Sequence, residues 1–124
     1  MKIQDIQLLS GAPKESYSAA IAAEKRLDGA PIQTIDSFYN SPCQQFQCGF
    51  WQCDQGHWQV NYTEYEYCEI VAGMSEIIDT DGNSLTVTAG DRFVIPAGFS
   101  GSWKVTDFCK KVYVIFEPKL AASL

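Results

Sequence analysis

The chain has 124 residues, of which 46% are hydrophobic and 13% aromatic, a composition typical of one globular domain. Its 15 acidic and 9 basic side chains give a net charge of -6, which argues against nucleic acids and anionic membrane surfaces as partners, because both attract a basic face. The sequence has neither a signal-peptide pattern nor the run of about 18 apolar residues that a membrane span needs. We therefore predict a cytoplasmic protein.

The N-terminal region contains the one stretch that favours a helix. Glu15–Leu27 is rich in alanine, a strong helix former, and Asp28–Pro31 would end the helix. Its apolar face is thin, with Ile21 and Leu27 alone, so that an irregular arm fits equally well. For residues 1–30 we predict either an arm or a short helix.

The rest of the chain consists of short aromatic and β-branched runs separated by glycine, proline, asparagine and aspartate, the pattern of strands and turns. The turn Thr80–Asn83 is the strongest hairpin signal, because glycine and asparagine tolerate a positive φ. Many short strands without helices between them predict an all-β sandwich or barrel over residues 31–118, followed by a tail at 119–124. The predicted strands are Gln33–Tyr39, Phe46–Cys53, Trp58–Tyr62, Glu66–Ala72, Ser75–Asp79, Ser84–Thr88, Arg92–Ile95, Ser102–Thr106 and Lys111–Glu117.

The chain has five cysteines, an odd number that predicts reduced thiols in a protein without a signal peptide. Cys43, Cys48 and Cys53 have four residues between neighbours, which is not the Cys-x-x-Cys spacing of zinc and redox sites. We therefore expect the cysteines to act as small buried hydrophobic residues.

Two segments carry a more specific signal. In Tyr65–Gly73 the motif glutamate, Glu66, precedes Gly73 by seven positions, and Gly90–Gly98 has the spacing Gly, five residues, Pro, one residue, Gly. In this order, with a hairpin between them, the segments resemble the two motifs of the cupin superfamily. The resemblance implies a double-stranded β-helix, which is a jelly-roll-like barrel.

Further runs, among them Trp58–Tyr62 and Pro96–Trp103, are similar to a small single-domain cupin subfamily related to ureidoglycine aminohydrolase and to ethanolamine-utilisation cupins. This resemblance implies a homodimer, and we expect the N-terminal arm with Gln33–Tyr39 to make the contact. It does not imply one reaction, because a single fold supports many functions.

The resemblance also implies metal ligands that this sequence largely lacks. The His-x-His pair of the first motif falls on Val60 and Tyr62, or on the residues just before each of them, and the histidine of the second motif falls on Gly101. Only Glu66 remains, and one carboxylate does not hold a transition metal tightly. We predict no metal cofactor; a site that combines Glu66 with the single histidine, His57, is the alternative.

Glu66 and Tyr62 form the predicted catalytic pair. In a cupin barrel the strand faces that carry them both point inward, so that the two side chains meet. A carboxylate in an aromatic pocket is desolvated and can act as a general acid or base, and a tyrosine hydroxyl can stabilise an oxyanion. Alternatively, Glu66 forms a structural ion pair and Tyr62 fills the core.

Other side chains are candidates for ligand binding. The tryptophans suit either the walls of a pocket or the core. His57 is predicted at the barrel rim, as a proton shuttle or as a hydrogen-bonded structural residue. Lys111 could bind an anionic group or pair with Glu66, but the apolar residues Val112 and Val114 predict that it points outward into solvent. The candidates are Trp51, Trp58, Trp103, His57 and Lys111.

Three functions remain open. The first is a cupin that binds a small polar molecule and carries out metal-independent acid–base chemistry with Glu66 and Tyr62. The second is a ligand-binding or sensing module without enzymatic activity. The third is a metal-dependent cupin enzyme with atypical ligands.

Overall fold

A computed structural model describes residues 1–119 of the chain, so that residues 120–124 of the predicted tail lie outside the described part. Eight strands pair in antiparallel fashion. Two 3-10 turns, Ile3–Asp5 and Ala23–Lys25, lie in the N-terminal arm. The strands are β1 (Glu15–Ala20), β2 (Arg26–Asp28), β3 (Ile32–Asn40), β4 (Phe46–Asn61), β5 (Tyr65–Asp79), β6 (Ser84–Thr88), β7 (Arg92–Ile95) and β8 (Ser100–Phe116).

Three long strands build both walls of the barrel. Strands β4, β5 and β8 have 16, 15 and 17 residues, and each pairs with different neighbours along its two halves. One wall has the order β1-β3-β4-β8-β5-β7, and the other has the order β2-β4-β8-β5-β6. The long strands shift register at bulges, for example between Asp54 and Gly56, and bulges bend a strand from one wall into the next. This is the predicted all-β, jelly-roll-like barrel.

The space between the walls is filled by inward side chains. Trp103, Cys68 and Cys109 have exposed fractions of 1% or less, and they belong to one hydrophobic cluster that spans both walls. Ile21 of the N-terminal arm joins this cluster, so that burial of its apolar surface holds the arm against the barrel. Four of the five cysteines are buried as predicted, whereas Cys43 is exposed.

The hairpin turn predicted at Thr80–Asn83 is confirmed. Gly82 and Gly98 have φ values of 85° and 96°, and β6 and β7 begin and end where the sequence predicts. Gly73 has a φ of 76°, and a Cβ atom there would collide with the backbone oxygen of Phe108. The motif glycine is therefore required for two reasons, since only glycine tolerates both this conformation and this close approach.

The predicted helix at Glu15–Leu27 is wrong, and the arm alternative describes the region. Residues Glu15–Ala20 form β1, which pairs residue by residue with Ile32–Ser37 of β3. The helix propensity of alanine is worth less than 1 kcal/mol per residue, about the scale that tertiary pairing overrides. No helix within residues 1–119 is long and apolar enough to cross a membrane.

The boundaries of the longest strands also differ from the prediction. The sequence predicts a break between the strands Phe46–Cys53 and Trp58–Tyr62, but the residues between them lie inside β4. Six predicted strands thus merge into β4, β5 and β8, because bulges keep polar and glycine residues within a continuous strand.

Candidate functional site

A buried ion pair lies at the centre of the barrel. The ammonium of Lys111, on β8, is 3.2 Å from Oε1 of Glu66, on β5. It also donates a hydrogen bond of 3.6 Å to Sγ of Cys68. The side chains of Lys111 and Glu66 are 5% and 7% exposed. The structural ion pair that the sequence left as an alternative for Glu66 is therefore present.

The predicted outward orientation of Lys111 is wrong. The buried residues at this end of β8 are Cys109, Lys111 and Tyr113, whereas Val112 and Val114 are only partly buried. Both faces of the strand carry apolar side chains, so that alternation of hydrophobic residues does not identify the inner face. The carboxylate of Glu66, 45 residues away in the sequence, supplies the partner that a buried lysine requires.

Two tryptophans flank the same ammonium. Nζ of Lys111 lies 4.3 Å from the ring centroid of Trp103 and 4.9 Å from that of Trp51, distances at which an indole ring attracts a cation. Burial lowers the pKa of Lys111, but the adjacent Glu66 carboxylate, together with smaller contributions from Cys68 and Tyr62, raises it more, so that the pKa lies above its ordinary value. Lys111 is consequently a fixed positive charge and not a nucleophile.

A cavity of about 200 Å³ opens beside this pair. It shares residues with a larger outer cavity of about 400 Å³, which the barrel forms with Ala20–Ala22 and Lys25 of the arm. Trp51, Trp58 and Trp103 all line the inner cavity and also belong to the core cluster; their role in ligand binding stays a prediction. The inner cavity is lined by Gln33, Trp51, Trp58, Val60, Tyr62, Glu64, Glu66, Trp103 and Lys111.

Tyr62 and Glu66 are brought together at this cavity, as the cupin register predicts. Burial raises the pKa of Tyr62, and the Glu66 carboxylate raises it further against the opposing charge of Lys111. Tyr62 therefore remains a neutral hydrogen-bond donor. Burial, against the opposing effect of Lys111, also raises the pKa of Cys68, to about 12. Cys68 is therefore a thiol and not a nucleophilic thiolate.

His57 does not join the cavity around Glu66. It lies on β4 between Gly56 and Trp58, and Trp58 points into the barrel. Nε2 of His57 is 2.8 Å from Oγ of Ser102. The arrangement agrees with the structural alternative that the sequence left open for His57.

The side chains at this position do not fit the metal that cupins commonly hold. Val60 and Gly101 offer no donor atom, and the Lys111 ammonium lies against Glu66, the one carboxylate of the motif. Within residues 1–119 no three His, Cys, Asp or Glu side chains come together in an arrangement suited to a metal ion. A transition metal needs three or four donor atoms, and a single carboxylate that already contacts an ammonium does not supply them.

Two residues that line the inner cavity, Gln33 and Glu64, were not predicted as site residues from the sequence. Gln33, on β3, accepts a hydrogen bond of 2.9 Å from Nε1 of Trp51 and thereby orients that ring. Glu64 lines both cavities from the segment between β4 and β5. Gln33 and Ile35 lie on the same face of β3, and this alternation could have indicated that Gln33 points towards the barrel. Glu64 lies outside the strands, so that no alternation pattern indicates its orientation.

The chain is similar to proteins of a known domain family. The sequence profile of the EutQ-like cupin domain matches residues 40–113. The curated protein named acetate kinase EutQ, from Clostridioides difficile strain 630, is 28% identical over 109 residues, which cover 83% of this chain and 68% of that protein.

Solved structures agree on the fold. The EutQ protein of Clostridium difficile has a TM-score of 0.64 at 20% identity, covering 78% of this chain and 79% of that one. A protein with unknown function from Pseudomonas syringae pv. tomato has a TM-score of 0.72 at 17% identity. The match covers 78% of this chain but only 42% of the Pseudomonas chain. At these identities the likeness concerns the fold and not the activity.

Proposed function

This chain belongs to the EutQ-like cupin domain family, and on that premise we propose that its barrel binds a small polar molecule of no net charge beside Glu66 and Lys111. The observation that carries the proposal is the ion pair itself. The opposite charges of Glu66 and Lys111 cancel, yet both side chains still line the cavity. A binding site needs such convergent polar groups within largely apolar walls.

The charge of the cavity favours a neutral ligand over an anion. Glu64 adds a carboxylate that no Lys, Arg or His side chain of residues 1–119 pairs with, so that the inner cavity carries one excess negative charge. The three tryptophan walls suit a flat group. Carboxamides, ureas and hydroxycarbonyl compounds combine these properties.

Tyr62 and Glu66 supply one donor and one acceptor for such a group. Lys111 donates to Oε1 of Glu66. No fully buried side-chain nitrogen or oxygen in this part of the chain lacks a partner, so that Oε2 remains in contact with a cavity. Tyr62 would donate to the carbonyl oxygen, and Glu66 would accept from the N–H or O–H group.

The same two groups would carry metal-independent acid–base chemistry in the proposed site. Glu66 would take the proton from the bound N–H or O–H group, while Tyr62 stabilises the oxygen that becomes negative. A ligand that binds and is released unchanged would instead favour the non-enzymatic binding module. Product analysis after incubation with the purified protein separates these two outcomes.

Tryptophan fluorescence tests the binding proposal, because all three tryptophans of the chain line the inner cavity. We expect acetamide to change the emission and to bind more tightly than acetate. Tyr62→Phe should weaken acetamide binding about fivefold, the effect of one lost hydrogen bond. Tyr67→Phe is the matched control, because Tyr67 is 36% exposed and does not line this cavity. Failure of amides and ureas to bind would contradict the proposal.

The acetate arm of this experiment also tests a second function. The curated relative is named an acetate kinase, and the Lys111 ammonium is the one group in the inner cavity that would attract acetate. Tighter binding of acetate than of acetamide would favour an activity on acetate in this chain.

We further propose a homodimer whose contact lies in the N-terminal arm, as expected, but at β1 and not at Gln33–Tyr39. Strand β3 pairs with β1 on one side and with β4 on the other, so that both of its edges are occupied. Strand β1 ends the sheet, and all six of its residues are exposed. Apart from Glu15 at its start, β1 carries no charged residue and no proline, and such an edge strand invites pairing with a second copy.

A further inference from the structure

A second, smaller cavity lies at Glu66, separate from the cavity beside Lys111. Its volume is about 130 Å³. Trp51 and Glu66 line both cavities and so form the partition between them. Tyr17 of β1 and Tyr113 of β8 complete its aromatic lining, with Ile35 and Ile115 between them.

This second cavity combines three aromatic rings with one carboxylate. Glu66 is its only charged side chain, and Gln47 adds a neutral amide. Burial raises the pKa of Tyr113 to about 12, so that its ring lines the cavity as a neutral phenol. Neither Lys111 nor any other basic residue lines this cavity.

We propose that the cavity formed by Tyr17, Trp51, Tyr113 and Glu66 binds a small organic ammonium group. Aromatic rings attract a cation through their negative faces, and cages of such rings are the usual sites for quaternary ammonium groups. A carboxylate at the wall adds charge complementarity. The small volume limits the ligand to an alkylammonium group with few carbon atoms.

The barrel already provides one example of this recognition. On the other side of the partition, the Lys111 ammonium lies between Trp51 and Trp103 and contacts Oε1 of Glu66. An ionised carboxylate has about four acceptor positions on its two oxygen atoms, so that Glu66 can accept from Lys111 and from a second ammonium group in this cavity. Aromatic rings and the shared carboxylate would then offset the repulsion between the two positive charges.

The ammonium site does not depend on the proposed neutral ligand, because the two cavities have different linings apart from Trp51 and Glu66. Failure of amides to bind beside Lys111 would leave the ammonium site in place, and failure of ammonium compounds to bind would leave the amide site in place. Tyr17 lines only the second cavity and is 50% exposed. Its replacement is therefore a selective and structurally mild test.

The experiment compares choline with dimethylbutanol, its neutral carbon isostere, using the full chain and NMR detection of the Trp51 indole N–H. We expect choline to bind at least about fivefold more tightly than the isostere, the size of a moderate cation–π contribution. Tyr17→Leu should remove most of this preference, whereas Tyr17→Phe, which keeps the ring, should retain it. Tyr67→Leu is the control for loss of an exposed tyrosine elsewhere.

Three results would overturn the proposal. Equal affinity for choline and dimethylbutanol would show an apolar cavity without cation recognition. A preference for choline that persists in Tyr17→Leu would place the ammonium group elsewhere on the protein. Absence of choline binding at millimolar concentration also contradicts the site.

Discussion

The Lys111 ammonium and the Glu66 carboxylate meet at 3.2 Å inside the barrel, although 45 residues separate them in the sequence. Removing two charges from water costs several kcal/mol per ion, roughly, and their mutual attraction offsets this cost only when the pair is intact. Each partner therefore depends on the other. The pair stabilises the inner cavity in one arrangement and supplies its polar groups.

This dependence predicts strong coupling between the two positions. Lys111→Met leaves a buried carboxylate without a partner and should lower the free energy of unfolding by about 3–5 kcal/mol. The double variant Lys111→Met/Glu66→Gln should lose less than the single variant, because no unpaired charge remains. Urea denaturation of the wild type, both single variants and the double variant measures the coupling. Additive effects of the two substitutions would contradict it.

The ion pair also marks the limit of what the sequence predicts. The motif spacing identified Glu66 as inward-facing and brought Tyr62 beside it, because cupin register and strand alternation agree there. Lys111 was assigned to the wrong face, because Val112 and Val114 give the outer face of β8 an apolar pattern as well. The partner of a buried charge is a long-range property, and local periodicity does not contain it.

The motif glycine of β5 and the hairpin turn were predictable, because local backbone conformation favours glycine at both places. Gly73 and Gly82 have φ values of 76° and 85°, and most other residues are strained at such a positive φ. Strand ends next to bulges were not predictable, since Gly56 lies within a continuous strand although glycine usually marks a turn. Contacts from other strands decide whether a glycine ends a strand in a turn or lies within a continuous strand.

Gly73 and Gly82 provide a matched pair for a second prediction. Gly82→Ala introduces only the strain of a left-handed alanine, about 1–2 kcal/mol, because nothing lies within 4 Å of its Cβ position. Gly73→Ala adds a collision with the backbone oxygen of Phe108 and should cost considerably more. Thermal and urea unfolding of the two variants test the difference, and equal destabilisation would show that the β5–β8 contact relaxes freely.

The homodimer gives a third prediction. Ala19→Lys places a charge on the free edge of β1, which should prevent pairing of two copies and yield a monomer in light scattering. Leu85→Lys is the control, because β6 ends the sheet on the other side and Leu85 is 56% exposed. Dimer loss in Leu85→Lys alone would move the contact to β6. A monomeric wild type at micromolar concentration would contradict the dimer.

Cys68 gives a pH-dependent prediction. Burial raises its pKa from an ordinary value of 9.0 to about 12 in the folded protein. Between these values the unfolded chain loses the thiol proton while the folded protein keeps it, so that the unfolded state binds fewer protons and stability falls as pH rises. The stabilising contribution is complete below about pH 9 and is lost progressively as the pH approaches 12. Each such thiol contributes a slope of up to about 1.4 kcal/mol per pH unit.

Cys68→Ala isolates this contribution from the lost packing, because the packing loss is the same at every pH. We expect the fall in the free energy of unfolding between about pH 8 and about pH 10.5 to be smaller in Cys68→Ala than in the wild type. Cys43→Ala, at an exposed cysteine, should not reduce this fall. If Cys68→Ala and the wild type lose stability in parallel, the Cys68 thiol titrates alike in the folded and unfolded states. The Cys68 thiol would then lie in a more hydrated environment than the closed barrel provides.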